Sequence, residues 1–161
     1  MFSNEVIAAL VRLARKNSIE PAALLAIVEV ESSGRPFEPD GKTPRFLFER
    51  HVFYRALAKA DKANKSGGTK LKQAIAEGLA IQKWNQATQY RDLKTAQGRE
   101  SVLARARAID EECANQACSW GLGQILGENA RSLGYPSATV MVAVFVNGGV
   151  VGQTDGMLRF V

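Results

Sequence analysis

The chain has 161 residues, 46% hydrophobic and 23% charged, which fits one globular domain able to bury a core. Its 21 Lys and Arg against 16 Asp and Glu give a net charge of +5, which favours anionic partners such as nucleic acid, membrane surfaces or wall polymers without choosing among them. No apolar run approaches the ~18 residues needed to cross a bilayer; Cys113, Cys118 and the single His51 form neither a zinc ligand set nor a disulfide framework; and no phosphate loop, dinucleotide fingerprint or G-x-S-x-G elbow occurs.

In chain order, Val6, Ile7, Leu10, Val11, Leu13 and Ala14 recur at helical spacing and predict a helix over 4–16. The start has no basic n-region and its apolar stretch VIAALV is interrupted at Arg12, so it reads as an amphipathic helix rather than a signal peptide; the protein is expected to fold in the cytoplasm of the cell that makes it. NSIEP then supplies a cap and a first-turn proline for a helix from about Pro21 to Ser32, stopped by Gly34 and Pro36. In RPFEPDGKTPRFLFER, the Asp40-Gly41 turn signal and the short apolar run Phe46–Phe48 are read as a small hairpin. Helix resumes in HVFYRALAKADK, and 63–69 form a Gly/Ser/Asn-rich loop. Helical patterns return at about 70–83 and 99–112, then at 137–146 after Pro136-Ser137, before a short last segment ending MLRFV. With no internal repeat or linker, the expectation is a single α+β domain over 1–161, mainly helical. Both cysteines are expected to be reduced and partly buried.

The stretch AIVEVESSGRPF, residues 26–37, places a carboxylate at the end of an apolar run. Counting about 100° per residue from Leu24, Ile27, Val28 and Glu31 all fall within roughly 60° of it, while Glu29 points away. Glu31 is therefore expected on the buried face, at its C-terminal edge. An apolar setting and the negative end of the helix dipole both raise a carboxyl pKa, as a general acid requires. A solvated acid at a frayed helix end is the competing reading. If 45–49 is extended, Glu49 shares a side with Leu47, opposite Phe46 and Phe48; from the residues alone, a surface ion pair with Arg45 or Arg50 is the preferred explanation. Asp40 is accounted for by its turn.

Glu31-Ser32 at a helix end, followed much later by Gly121-Leu122-Gly123-Gln124, resembles the catalytic glutamate and facing cleft wall of lytic transglycosylases and goose-type lysozymes. More specifically, LLAIVEVESSGRPFEPDGKTPRFLFERHVFYR together with CSWGLGQILGENARSLGY is similar to the N-acetylmuramidase family of phage endolysins. The similarity is strong over 22–55 and 108–135 and weaker beyond 137; within 61–100 only QYRDL at 89–93 resembles the family.

The resemblance implies a lysozyme-like fold, with a small β-hairpin beside a cleft, that hydrolyses the β-1,4 bond between N-acetylmuramic acid and N-acetylglucosamine in peptidoglycan. Glu31 aligns with the family's proton donor and Glu49 with its second acid, and two carboxylates suffice for this chemistry. Ser32, Trp120, Gly123 and Gln124 are candidate substrate contacts; His51 is counted with them and could orient Glu49, two residues away, although a structural histidine is the commoner outcome. Gly123, like Gly121, lets the backbone approach a sugar, Gln124 offers a donor and an acceptor, and Trp120 offers an apolar face, although a core tryptophan fits equally well. No metal or organic cofactor is implied. The partner is peptidoglycan; nucleic acid is not expected, since no aromatic-basic stripe or helix-turn-helix accompanies the charge. The protein is expected to be a monomer without stable membrane insertion, waiting in the host cytoplasm and reaching the wall after release. A lytic transglycosylase making anhydro-muramic products, and an inactive wall-binding relative, are the alternatives. Relatives often carry an N-terminal wall-binding module and usually continue into a C-terminal helix with a Tyr-Asn-Gly segment. Here the pattern begins almost at once and ends at MLRFV, so wall targeting is expected to rest on the cleft and the positive charge.

Overall fold

The computed structural model describes residues 2–65 and 67–159; Ser66 of the expected loop and the last two residues of MLRFV lie outside them. Helix α1 (Asn4–Lys16) is capped by the Ser3 hydroxyl, which accepts from the Val6 amide, and it buries Val6, Ala9, Leu10, Leu13 and Ala14 at three- and four-residue spacing. Helix α2 (Pro21–Ser32) starts on its proline, with Glu20 accepting from the Ala23 amide at 2.7 Å. It ends where Ser33 and Gly34 turn left-handed.

The expected hairpin is present as a narrow ladder around Asp40-Gly41, with Glu38 N–H to Thr43 O at 2.8 Å and Arg45 N–H to Pro36 O at 2.9 Å. The strand that follows, β1 (Phe46–Phe48), takes its main partner from far along the chain. It pairs antiparallel with β2 (Cys118–Trp120), which pairs in turn with β3 (Ile125–Leu126). Phe46, Phe48, Cys118, Trp120 and Ile125 fill the buried face of this sheet; Leu47, Ser119 and Leu126 form its half-open face. The Phe46 and Trp120 rings meet at 5.3 Å, and Phe48 meets Phe53 edge-on at 5.4 Å.

The remaining helices are α3 (Arg50–Asn64), α4 (Thr69–Ala76), α5 (Gln86–Gln89), α6 (Ala96–Ile109), α7 (Glu111–Gln116), α8 (Ala138–Asn147) and α9 (Gly149–Leu158). Three differ from expectation for physical reasons. The helix expected over 70–83 stops at Ala76, ahead of Gly78 at φ 69°. The one expected over 99–112 divides at Asp110, whose extended backbone ends α6 and whose carboxylate caps α7 through the Cys113 amide. The last segment is a full helix, α9, masked in the sequence by glycines of low helix propensity. Two of them are packing requirements: a Cβ on Gly152 would lie 2.5 Å from the Val144 carbonyl of α8, and one on Gly156 would lie 2.5 Å from the Phe145 ring.

The hairpin is fastened to α6 from inside. Arg99 donates through Nε to Glu38 Oε1 at 3.0 Å and through an Nη to Glu38 Oε2, with both side chains enclosed.

Candidate active site

Glu31 lies in the last turn of α2 and is exposed, which corrects the dry environment expected for it. The helical wheel identified the face, but that face is only half covered. Leu24 and Val28 are buried, whereas Ile27 is 55% exposed, because α2 packs chiefly on α1. Ile27 lines an apolar cavity of about 200 Å³ together with Leu24, Gly123, Gln124 and Met157. Glu31, four residues on, lies on the same helical face one turn beyond. Ser32 is also corrected: it is buried, and its hydroxyl donates to the Val28 carbonyl at 3.1 Å, closing the helix rather than meeting a ligand.

Residues 121–124 join β2 to β3, with Gly121 at φ 70° and Gln124 at φ 46°. The Gln124 amide donates to the Gly121 carbonyl at 2.9 Å, which steadies the turn at the cavity wall. The space beside both glycines is taken by α9. A Cβ on Gly121 would lie 2.8 Å from Gln153 Oε1, and one on Gly123 would lie 2.8 Å from Met157 Cγ. Gln153 in turn accepts from Leu122 N–H at 3.0 Å and donates to the Pro36 carbonyl at 3.0 Å. The missing side chains therefore admit α9, and only Gly123 also borders the open cavity. Trp120 is a core residue, which corrects its reading as a sugar platform. It is fully buried against Phe46, and its indole N–H donates to the Asn115 carbonyl at 2.9 Å.

Glu49 leaves β1 with an extended backbone, its N–H continuing the ladder to the Ala117 carbonyl at 2.7 Å. Neither arginine proposed for it is its partner. Arg45 faces Glu38 at 4.0 Å, and the buried Arg50 donates to the carbonyls of Gly78 at 2.9 Å and Gln89 at 2.6 Å. Instead the Gln89 amide donates to Glu49 Oε2 at 2.6 Å, and His51 Nδ1 stands 3.6 Å from the same oxygen. Burial pushes the Glu49 carboxyl above its ordinary range, and the neighbouring His51 offsets this only in part. The structure thus joins Glu49 to His51 and adds Gln89, which the sequence reading missed. Its one signal was membership of QYRDL in an otherwise dissimilar stretch.

A wider groove of about 640 Å³ between α3, α7 and residues 127–131 contains none of the predicted site residues. Its acids are already engaged: Asp110 with Lys70, Glu128 with Arg55, and Glu112 with the Ala138 and Thr139 amides. Among the described residues no cluster of His, Cys, Asp or Glu could hold a metal ion, and no helix is long and apolar enough to cross a membrane. Cys113 and Cys118 are free and buried; burial pushes the Cys113 thiol up to about 12 and raises that of Cys118 well above its usual value.

Residues 20–161 match the Muramidase family, described as N-acetylmuramidase. The crystal structure of the Burkholderia AP3 phage endolysin matches 96% of this chain with a TM-score of 0.72 and 33% sequence identity, and the chain spans 52% of that endolysin. No curated protein matches the chain. Helices around a small antiparallel sheet, shared with that endolysin, make this a lysozyme-like α+β fold. The chain belongs to the N-acetylmuramidase family.

Proposed function

We propose that this chain cleaves the glycan strands of peptidoglycan between N-acetylmuramic acid and N-acetylglucosamine, with Glu31 protonating the leaving oxygen and Glu49 as the second carboxylate. The setting of Glu49 carries the reading. It is a part-buried acid, 16% exposed, held by a neutral amide and a titratable histidine instead of an arginine, so it is free to activate water or to stabilise an oxocarbenium-like transition state. Glu31, solvent-accessible and one helical turn beyond the cavity-lining Ile27, suits the exchange of a proton with a bound sugar. The positive charge favours approach to an anionic wall, where the enzyme acts after release from the cytoplasm. One observation favours an exchanged assignment of roles: a carboxyl raised by burial, as Glu49 is, also suits a proton donor.

Mass spectrometry of soluble products from purified peptidoglycan tests the reading. Reducing-end muramic acid, formed by the wild type and lost in Glu31→Gln and Glu49→Gln, is the expected result. Anhydro-muramic products that survive in Glu49→Gln would make the protein a lytic transglycosylase, and no soluble product from folded wild type would leave wall binding alone. A substrate with an activated aryl leaving group needs no proton donor, so it restores turnover only in the variant that lacks the acid.

A further inference from the structure

Gln89 is fully buried, and its side-chain hydrogen bonds reach groups 38 to 41 residues away. Those partners define its orientation. One end of the amide meets acceptors alone, the Glu49 carboxylate at 2.6 Å and the Phe48 carbonyl at 3.4 Å, and is therefore the NH₂ group. The other end meets the His51 backbone N–H at 3.3 Å and is therefore the oxygen. His51 Nδ1 lies 3.2 Å from that oxygen, so Nδ1 is the ring nitrogen that carries a hydrogen toward it. The main-chain carbonyl of Gln89 accepts from Arg50, which pins the end of α5 against the start of α3.

We propose that Gln89 is a positioning residue for Glu49: it clamps one carboxylate oxygen, favours the ionised form and locks His51 as the Nδ1–H tautomer. The proposal rests on the reading of Glu49 as a reacting carboxylate. An N–H donated to a carboxylate stabilises its charge and opposes the effect of burial. Because the donor is neutral, it does so without adding a cation that would tie Glu49 into a permanent ion pair. The groups near Glu49 are His51 from α3, Gln89 from α5 and the Cys118 thiol from β2, which also feels the charge of Arg107. Arg50, next in the chain, is turned toward Gly78 and Gln89.

The test compares wild type with Gln89→Met, which keeps the volume and removes both hydrogen-bonding ends. Carboxylate-labelled NMR titration is expected to show the Glu49 pKa rising by about one unit in the variant. On peptidoglycan, kcat is expected to fall roughly tenfold with KM within about twofold, and the acid limb of the pH profile to move up with the carboxylate. An unmoved Glu49 titration in folded Gln89→Met overturns the proposal. If that variant does not fold, the ¹⁵N spectrum of wild-type His51 decides: an Nδ1–H ring supports the clamp and an Nε2–H ring overturns it. A wild-type rate in Glu49→Gln overturns the reading beneath the proposal instead, and is recognised because the titration shift in Gln89→Met persists.

Discussion

Two glutamates flank β1 and are handled in opposite ways. Glu38, before the strand, is enclosed; Arg99 takes both its oxygens, and the Phe46 amide reaches Oε1 at 3.4 Å. Glu49, just after the strand, keeps an opening to solvent and is held by Gln89 and His51. A carboxylate whose charge is cancelled by a permanent cation serves the fold. One held by a neutral donor and a titratable neighbour retains the capacity to gain, lose or share a proton. The same strand therefore joins an end closed by an ion pair to an end left open to solvent.

The sharpest way to break this contrast is kinetic. Glu31→Gln and Glu49→Gln are each expected to lower glycan cleavage by about 10²–10⁴-fold, followed by release of dye-labelled peptidoglycan. Glu38→Gln should stay within about threefold per folded molecule; if it loses as much as Glu49→Gln, the distinction between the two acids collapses. Next in size is stability. Arg99→Leu strands a buried charge at Glu38 and is expected to cost about 3–5 kcal/mol, a Tm drop on the order of 10 °C by calorimetry. Glu38→Leu/Arg99→Leu should recover much of that loss.

Smaller effects separate the two signs of pKa perturbation. Burial pushes the Glu112 carboxyl up, but hydrogen bonds from Gln116, Thr139 and Ala138 outweigh it and hold the group below its ordinary value. Its stabilisation is therefore present at neutral pH and lost as pH falls below 4.5 toward the depressed folded value. Glu112→Ala should cost about 1 kcal/mol at pH 7 by removing a cap on α8, with the penalty shrinking in acid melts. Glu49 runs the other way. Its folded pKa is raised, so its ionised form destabilises the fold at neutral pH, and that cost disappears as pH falls toward 4.5. Glu49→Gln is expected to raise Tm by about 2 °C at pH 7 and to lose that gain in acid; an equal gain at both pH values would exclude titration as its cause.

What the sequence made legible was local. The periodic apolar positions of α1, the proline at the head of α2, and Pro136-Ser137 before α8 are short-range signals, and those helices lie where they indicate. The strand character of Phe46–Phe48 was equally plain, but its pairing with Cys118–Trp120 is non-local and no turn encodes it. The helical wheel put Glu31 beside Leu24, Ile27 and Val28 without saying whether anything covers that face. Composition left Trp120 undecided between core and sugar; its bond to Asn115 and its contact with Phe46 decide for the core. Beyond its place in QYRDL, Gln89 gave no signal, because a glutamine in a polar stretch acquires meaning only when β1, α3 and α5 converge on it.

The two sequestered thiols have a practical consequence. Only a thiolate reacts readily with oxidants and electrophiles, and a thiol raised to about 12 provides almost none at neutral pH. The folded protein should therefore keep without a reducing agent. A cysteine introduced at exposed Lys72 would be the single site taken by a maleimide, a handle for attaching a dye or a solid support. Slow modification of Cys113 and Cys118 would then time how often the core opens.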